Sequence, residues 1–125
     1  MLVMKQYNFT RFEGGYQKGD NKIAINRSGL IRLSAGFCRT TNVKDFKYAA
    51  LFYDPTNKAI AFKFTNGQEK GTLKLTRDKS SLTISGKLFF LANNLEEKNC
   101  LGRYAYEKLF LPETGEIYVI ELTKK

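Results

Sequence analysis

Apolar and polar residues alternate along most of the chain in short runs that are separated by turn sequences. Such alternation over four to eight residues predicts strands with one buried face. The first hairpin is predicted over 23–33, where the alternation continues on both sides of Ser28-Gly29, a tight turn in which glycine accepts a positive φ. Two more strands are predicted at 48–54 and 59–65, on either side of the turn sequence PTNK.

A short helix is predicted between these two pairs of strands. Ser34 is a suitable N-cap, because its hydroxyl can accept an orphan amide hydrogen bond at the start of a helix. The helical segment is expected to run to about Val43, with Phe37 and Thr41 on its apolar stripe. The predicted order over 22–66 is therefore strand, strand, helix, strand, strand.

The same order recurs after the polar, glycine-bounded linker NGQEKG (66–71). GTLKLTR matches NKIAINR, SLTIS matches LIRLS, and YEKLFLPETGEIYVIELT matches YAALFYDPTNKAIAFKFT position for position. These matches predict a second ββαββ repeat over 71–125, and an N-terminal arm over 1–21 precedes the first. One repeat is too small to bury both faces of its own strands, so the two should share one core. The predicted fold is α+β, mostly β: two ββαββ repeats packed as a closed, barrel-like pseudo-dimer.

The pattern from Ile23 to Phe64 resembles the swapped-hairpin DNA-binding domains of the AbrB/MazE/SpoVT type. Those domains consist of a hairpin, a short helix of the form I-P-x-x-I-R-x-x-L-G-I and a final hairpin. The segment LSAGFCRTTNV (33–43) stands where that helix motif falls, with Phe37 and Val43 at its apolar positions. The segment KDFKYAALFYD resembles the strand that follows.

The sequence departs from this motif at three positions, where Ser34, Cys38 and Thr41 replace the proline, the arginine and the leucine. The resemblance implies a two-fold barrel that presents basic loops and strands to duplex DNA. Many proteins with such domains are transcriptional regulators or antitoxins. Carried over by position, the candidate DNA contacts are three arginines: Arg27, Arg32 and Arg39.

The charge of the chain is unevenly distributed. The 125 residues carry a formal net charge of +9, of which 1–63 contribute +7 (eleven Lys and Arg against four Asp and Glu) and 64–125 contribute +2 (ten against eight). One-sided positive charge attracts polyanions and speeds their encounter. The predicted nucleic-acid-binding residues form a basic face in the first repeat: Lys22, Arg27, Arg32, Arg39, Lys44 and Lys47.

The N-terminal arm interleaves aromatic and basic residues. This mixture suits single-stranded nucleic acid, because bases stack on the rings while cations hold the backbone. It equally suits a strand whose rings fill the open edge of a barrel. The candidate stacking residues are Tyr16, Tyr53 and Tyr104.

The inventory of reactive side chains indicates a protein that is not an enzyme. The chain has no histidine, which removes the usual general base and the commonest metal ligand, and no glycine-rich loop matches the phosphate-binding fingerprints. Cys38 has no base partner in the sequence, and Cys38 and Cys100 are expected to be free thiols in a reducing compartment. We therefore expect no catalytic residues, no metal and no small-molecule cofactor. The apolar runs are too short to span a bilayer, so we expect a cytoplasmic protein with no membrane partner.

The sequence as a whole predicts a non-enzymatic nucleic-acid-binding protein. Duplex DNA and a regulatory role come first through the resemblance, and single-stranded DNA or RNA, bound through the aromatic and basic arm, comes second. The alternative from another class is a small protein-interaction module, such as a viral or mobile-element factor that binds an acidic host protein. The sequence leaves the oligomeric state open.

Overall fold

The structure is a computed structural model that describes residues 22–123. The predicted arm over 1–21, with Tyr16, lies outside these residues. The strands are β1 (Ile23–Ile25), β2 (Leu30–Leu33), β3 (Tyr48–Asp54), β4 (Ala59–Thr65), β5 (Leu73–Lys74), β6 (Thr76–Asp78), β7 (Ser81–Ser85), β8 (Gly102–Tyr104), β9 (Glu107–Leu111) and β10 (Gly115–Glu121). The helices are α1 (Ala35–Thr40), α2 (Lys87–Ala92) and α3 (Glu97–Cys100), and short 3₁₀ turns cover Arg27–Gly29 and Val43–Asp45.

The strands form two antiparallel sheets of five strands each. The order in the first, here called sheet 1, is β6-β7-β2-β1-β8, and the order in the second, sheet 2, is β5-β3-β4-β10-β9. The prediction of a mostly β, α+β protein is therefore confirmed. None of the helices within 22–123 is long and apolar enough to cross a membrane.

The two sheets and the first helix share one apolar core, which follows from the alternation in the strands. Ile31 in β2 and Phe62 in β4 are fully buried and belong to the same cluster. Phe37 of α1 reaches from the helix to sheet 2, because its ring centroid lies 5.2 Å from that of Tyr118 in β10 and 4.8 Å from that of Tyr106. Edge-to-face ring pairs of this kind add to the stabilisation that burial alone provides.

Helix α1 begins where the sequence predicts and ends earlier. The Ser34 hydroxyl accepts a hydrogen bond from the Phe37 amide at 3.1 Å, so the predicted N-cap is confirmed. The helix ends at Thr40, because Thr41 is extended and its hydroxyl donates to the Phe37 carbonyl at 2.7 Å. Local hydrogen bonds from threonine compete with the next helical turn, and Val43 therefore begins a separate 3₁₀ turn.

The turn of the first hairpin packs against the second half of the chain. Ser28 and Gly29 both have positive φ, at 66° and 73°. A Cβ atom on Gly29 would lie 3.0 Å from the backbone of Lys87, so the turn approaches the start of α2 closely. The Gly86 amide donates to the Gly29 carbonyl at 3.0 Å and fixes this contact. The turn lies where the sequence predicts it, but it is wider than the predicted tight turn, because the strand pairing ends at Ile25 opposite Ile31. Glycine is required there for both conformation and space.

Candidate nucleic-acid interface

Four cations surround one hollow on the surface of the protein. The hollow has a volume of about 310 Å³ and is lined where the segment that leads into β3 meets β5 and β6. We call it the basic hollow; it is lined by Lys44, Lys47, Lys74 and Arg77 together with Asp45, Phe46, Tyr48, Leu75 and Leu82. Asp45 is the single carboxylate among these lining residues.

Backbone hydrogen bonds between the two halves of the chain join the segments that carry these cations. The Leu75 amide donates to the Lys47 carbonyl at 2.9 Å. In the pairing of β3 with β5, Tyr48 lies opposite Lys74. Upstream, buried Val43 anchors the 3₁₀ turn that carries Lys44. The positions of the cations are thus set by strand pairing and by core packing.

Cys38 is a buried thiol whose pKa is influenced by two of these cations. Burial raises the pKa of the Cys38 thiol, while the positive charges of Lys44 and Arg77 act in the opposite direction. The Cys38 thiol is turned to the Leu33 carbonyl, with Sγ 3.6 Å from the oxygen. A neutral, buried thiol of this kind is a packing group rather than a nucleophile.

Two aromatic residues line the basic hollow beside its cations. Phe46 and Tyr48 are both half-buried, and the Tyr48 hydroxyl lies 3.5 Å from Oε1 of Gln68. Rings next to cations provide surfaces on which bases can stack while the cations contact phosphates. The sequence alone predicts this combination in the N-terminal arm instead.

The predicted basic face is divided by the fold. Lys44 and Lys47 share the basic hollow, whereas Lys22, Arg27, Arg32 and Arg39 do not line it. Exposed Arg39 lies in the last turn of α1, and half-buried Lys22 directly precedes β1.

Arg32 is held by an ion pair within sheet 1. Its guanidinium donates to Asp78 at 2.7 Å and to the Ser81 hydroxyl at 3.0 Å. The carboxylate that follows Arg77 in the sequence therefore faces Arg32 of the neighbouring hairpin. This pairing partly neutralises Arg32, which is less suited to phosphate contact than an unpaired arginine would be.

Two cations outside the predicted basic face, Lys74 and Arg77, belong to the basic hollow. A signal for Arg77 was present, because GTLKLTR matches NKIAINR and sets Arg77 at the position of Arg27. Asp78, directly after Arg77 in the sequence, carries a charge that opposes an anion at this position. The missing information was the ion pair between Asp78 and Arg32, which connects different hairpins.

Arg27 lines a second hollow, of about 450 Å³, whose lining comes from the end of β1, the turn after it and the segment that begins β8. We call it the arginine hollow; it is lined by Ile25, Asn26, Arg27, Leu101, Gly102 and Arg103. No carboxylate is among these lining residues, within the described part of the chain. Arg27 and Arg103 are both exposed.

Tyr104 is not a stacking residue, which corrects the expectation from the sequence. Its side chain is 0% exposed, and its hydroxyl donates to the Cys100 carbonyl at 2.6 Å. Burial raises the pKa of Tyr104 to about 12. Tyr104 lies in β8 opposite Ile23, where alternation directs it to the core. Tyr53 is half-buried and packs against the core cluster.

Sheet 2 carries a groove of a different character. The groove has a volume of about 490 Å³, and its floor includes Ala59, Ala61 and Val119. Three carboxylates line the groove: Asp54, Glu107 and Glu121. No Lys or Arg of the described residues lines it, and we call it the acidic groove. The Asp54 carboxylate also accepts a hydrogen bond from the Asn57 side-chain amide at 2.8 Å, and this hydrogen bond lowers the pKa of Asp54.

Within residues 22–123, no group of three or more Cys, Asp and Glu is placed to hold a metal ion. No protein-family model, curated protein or solved structure matches the chain.

Proposed function

We propose that this protein is a non-enzymatic nucleic-acid-binding protein that contacts the phosphate backbone through the basic hollow. The observation that carries the proposal is the convergence of Lys44, Lys47, Lys74 and Arg77 on one hollow with a single carboxylate. Each cation that neutralises a phosphate releases condensed counterions, so four clustered cations favour a polyanion over a single small anion.

Duplex DNA and a regulatory role remain the preferred version of this proposal. The resemblance to swapped-hairpin domains implies hairpins that associate about a two-fold axis. The pairing of β2 with β7 supports it, because it sets the first hairpin of the chain directly against the hairpin formed by β6 and β7. The rings of Phe46 and Tyr48 in the basic hollow support the second version, in which the ligand is single-stranded.

The proposal includes a tandem repeat, and two strand pairings support it. Under the sequence match, Leu33 corresponds to Ile84 and Ile31 corresponds to Leu82. If each residue of the observed pair Leu33↔Leu82 is replaced by its match in the other repeat, the result is the second observed pair, Ile31↔Ile84. A two-fold axis between β2 and β7 requires this relation.

The second pairing lies in sheet 2. Under the same match Phe62 corresponds to Ile120 and Ile60 corresponds to Tyr118, and the observed pairs Tyr118↔Phe62 and Ile120↔Ile60 again exchange. One approximate two-fold axis is therefore compatible with both sheets.

A barrel-like arrangement is the finer version of the fold that we propose. The chain passes from sheet 2 to sheet 1 with only Leu75 between β5 and β6. It returns from sheet 1 to sheet 2 through Ala105 and Tyr106, between β8 and β9. Crossings at two corners bring the edges of the sheets together, which supports a barrel.

The experiment that tests the function is fluorescence anisotropy of the protein with labelled duplex and single-stranded DNA of mixed sequence, over a series of salt concentrations. We expect salt-dependent binding, and we expect the double variant Lys47→Ala/Arg77→Ala to lower the slope of log K against log salt by about 2, roughly 1 per phosphate contact. The matched control is Lys63→Ala/Lys108→Ala, which removes two charges from sheet 2 and leaves both hollows intact.

An unchanged slope in the Lys47/Arg77 variant, or an equal loss in the control, would contradict a specific role for the basic hollow. The ligand form that binds more tightly decides between the duplex and the single-stranded versions.

A second candidate function, protein interaction, is favoured by the acidic groove. Phe52 and Leu109 line it and are 47% and 40% exposed, respectively. The apolar and carboxylate side chains that line the groove suit a segment of a partner protein that is both apolar and positively charged. The sequence alone suggested an acidic partner instead. Absence of DNA binding at low salt would make this the working hypothesis.

A further inference from the structure

We propose that the acidic groove of sheet 2 binds the N-terminal segment 1–21 of the same chain. Such binding is independent of the phosphate contacts proposed above, because it uses the opposite kind of charge on a different surface. It also assigns a role to the arm, for which the sequence left two possibilities open, stacking on bases or filling an open edge of the fold.

The acidic groove lies on the face of sheet 2 that points away from the shared core. Ile60 and Phe62 of β4 belong to the core cluster, so the alternate residues Ala59 and Ala61 belong to the other face, where they line the groove. Phe52 lies opposite Ala61 in the pairing of β3 with β4, and its ring is 47% exposed. Small alanine side chains beside an exposed ring make an apolar trough that favours a ligand with apolar side chains.

Two exposed carboxylates stand at opposite sides of this trough. Asp54 belongs to β3 and Glu107 belongs to β9, with β4 and β10 between them. Glu107 lies in one cross-strand row with Val119, Ala61 and Phe52, and Asp54 is two residues beyond that row. Three strand spacings across the sheet and two residues along it place the Cα atoms of the two acidic residues roughly 16 Å apart.

The N-terminal segment carries a complementary pattern of charge and apolar side chains. Lys5, Tyr7, Phe9 and Arg11 follow one another at every second position, and no carboxylate occurs in 1–12. In an extended conformation these four side chains share one face, with two rings between two cations. The Cα atoms of the cations would then be about 20 Å apart, a separation from which long side chains can reach carboxylates at both sides of the trough.

The segment is attached beside the groove. Strand β1 begins at Ile23 opposite the last residue of β8, and the residue after β8, Ala105, lines the groove. Lys22 is fixed at this corner by Ser34, because its amide donates to the Ser34 hydroxyl and its carbonyl accepts from the Ser34 amide, both at 3.2 Å. The ten residues 12–21 can span at most about 35 Å, which exceeds the width of the groove. The cationic stretch can therefore reach the groove of its own chain.

Covalent attachment favours this occupant over the same segment of a second copy. A short connection gives the attached segment an effective concentration on the order of millimolar at the groove, well above the concentration of a second copy in a micromolar solution. A cationic segment of a partner protein would have to displace it. The rings of Tyr7 and Phe9 would be withdrawn from single-stranded nucleic acid while the segment is bound.

The test is amide hydrogen exchange of the full-length protein, measured over 3–11. We expect slower exchange than in a free peptide of the same sequence, and each of the charge reversals Glu107→Lys, Lys5→Glu and Arg11→Glu should speed it about fivefold. Glu107→Lys combined with one of the two N-terminal reversals should restore slow exchange, and the combination that does so gives the direction of the segment. The matched control is Glu69→Lys, which reverses an exposed acid of the linker and should have no effect.

Carbodiimide cross-linking of the wild-type protein is a second measurement that needs no variant. The reagent joins a carboxylate to a nearby lysine amine, so Lys5 should be linked to Asp54 or Glu107. In a mixture of ¹⁵N-labelled and unlabelled protein, the isotopes of the linked peptides show whether they come from one chain or from two.

The outcomes are distinct. Slow exchange over 3–11 that depends on Glu107, with cross-links inside one chain, supports the proposal. Cross-links of mixed isotope would overturn it in favour of a second copy. Exchange as fast as in the free peptide, or an equal effect of Glu69→Lys, would also overturn it. None of these measurements uses nucleic acid, so this proposal and the DNA-binding proposal can fail separately.

Discussion

The two hairpins of sheet 1 have similar alternating sequences and are closed by different turns. The first, 23–33, has a wide turn with left-handed residues at Ser28 and Gly29. The second pairs Asp78 with Ser81, so that two residues close it, with Lys79 at φ 58°. The alternation of apolar and polar residues specifies that a hairpin forms. The residues of the turn specify where the charged side chains beside it lie. The wide turn carries Arg27 off the strand, and the short one brings Asp78 to Arg32.

The hairpins also differ in what covers their outer strands. Strand β8 covers β1 of the first hairpin, whereas β6 of the second hairpin is itself an edge strand of sheet 1. The edge strand is short, with three residues, as is common for strands that must not recruit another chain. The first hairpin is therefore the interior one, and its turn is the one that packs against α2.

The largest effect should come from filling the wide turn. Gly29→Ala places a Cβ 3.0 Å from the Lys87 backbone at a φ of +73°, and we expect the free energy of unfolding to fall by about 3 kcal/mol, from the left-handed conformation and the close approach together. Gly71→Ala is the matched control, because Gly71 has φ +90° with nothing within 4 Å of the added Cβ.

Urea denaturation of both variants measures the difference. The control should lose only about 1 to 2 kcal/mol, the cost of the left-handed conformation. Equal losses in the two variants would show that the contact between the first turn and α2 is not tight.

The next effect concerns the strand that covers the first hairpin. Burial raises the pKa of Tyr104 to about 12, against about 10 in an unfolded chain. Below pH 10 both states keep the proton, and between pH 10 and 12 only the folded state keeps it. The contribution of Tyr104 to the free energy of unfolding is therefore fully present below pH 10. The free energy of unfolding should fall by about 1.4 kcal/mol per pH unit as the pH rises towards 12.

Tyr104→Phe should remove that part of the alkaline pH dependence, at the cost of the hydrogen bond to the Cys100 carbonyl at neutral pH. Urea denaturation at intervals from pH 8 to 11.5 measures both effects. Parallel pH profiles for the variant and the wild type would contradict the burial of the Tyr104 hydroxyl as the cause.

The smallest effect should come from the ion pair that links the hairpins. The side chains of Arg32 and Asp78 are 37% and 46% exposed, so a double-mutant cycle with Arg32→Gln and Asp78→Asn should give a coupling energy of only about 0.5 kcal/mol. The same Asp78→Asn variant should bind duplex DNA more tightly at low salt, because it removes a negative charge and releases Arg32. Weaker binding in this variant would indicate that Asp78 positions a DNA contact.

Local features of the fold could be predicted well from the sequence. The bounds of β3, β4 and β7 are those of the predicted runs 48–54, 59–65 and 81–85, because period-two burial leaves a direct trace in the sequence. The cap at Ser34 was equally readable, since a cap depends on residues three positions apart.

The candidate site was less predictable, because it depends on which distant segments meet. The cations at Lys44 and Lys47 were selected, but their neighbours Lys74 and Arg77 join them only through the pairing of β3 with β5. The expectation that Tyr104 is exposed for stacking is wrong for a related reason. The run 102–104 is too short to show alternation by itself, and its burial follows from its pairing with β1.

The pairing of β2 with β7 and of β4 with β10 has a consequence for how the chain reaches this structure. Both pairings join residues before the linker 66–71 to residues after it, so neither part can complete a sheet alone. Pairing β2 with β7 closes a loop of about 50 residues, and such closure slows folding relative to proteins rich in local contacts. The exposed linker can be cut without removing any of these pairings. Separate fragments 1–68 and 69–125 should therefore fold only in each other's presence.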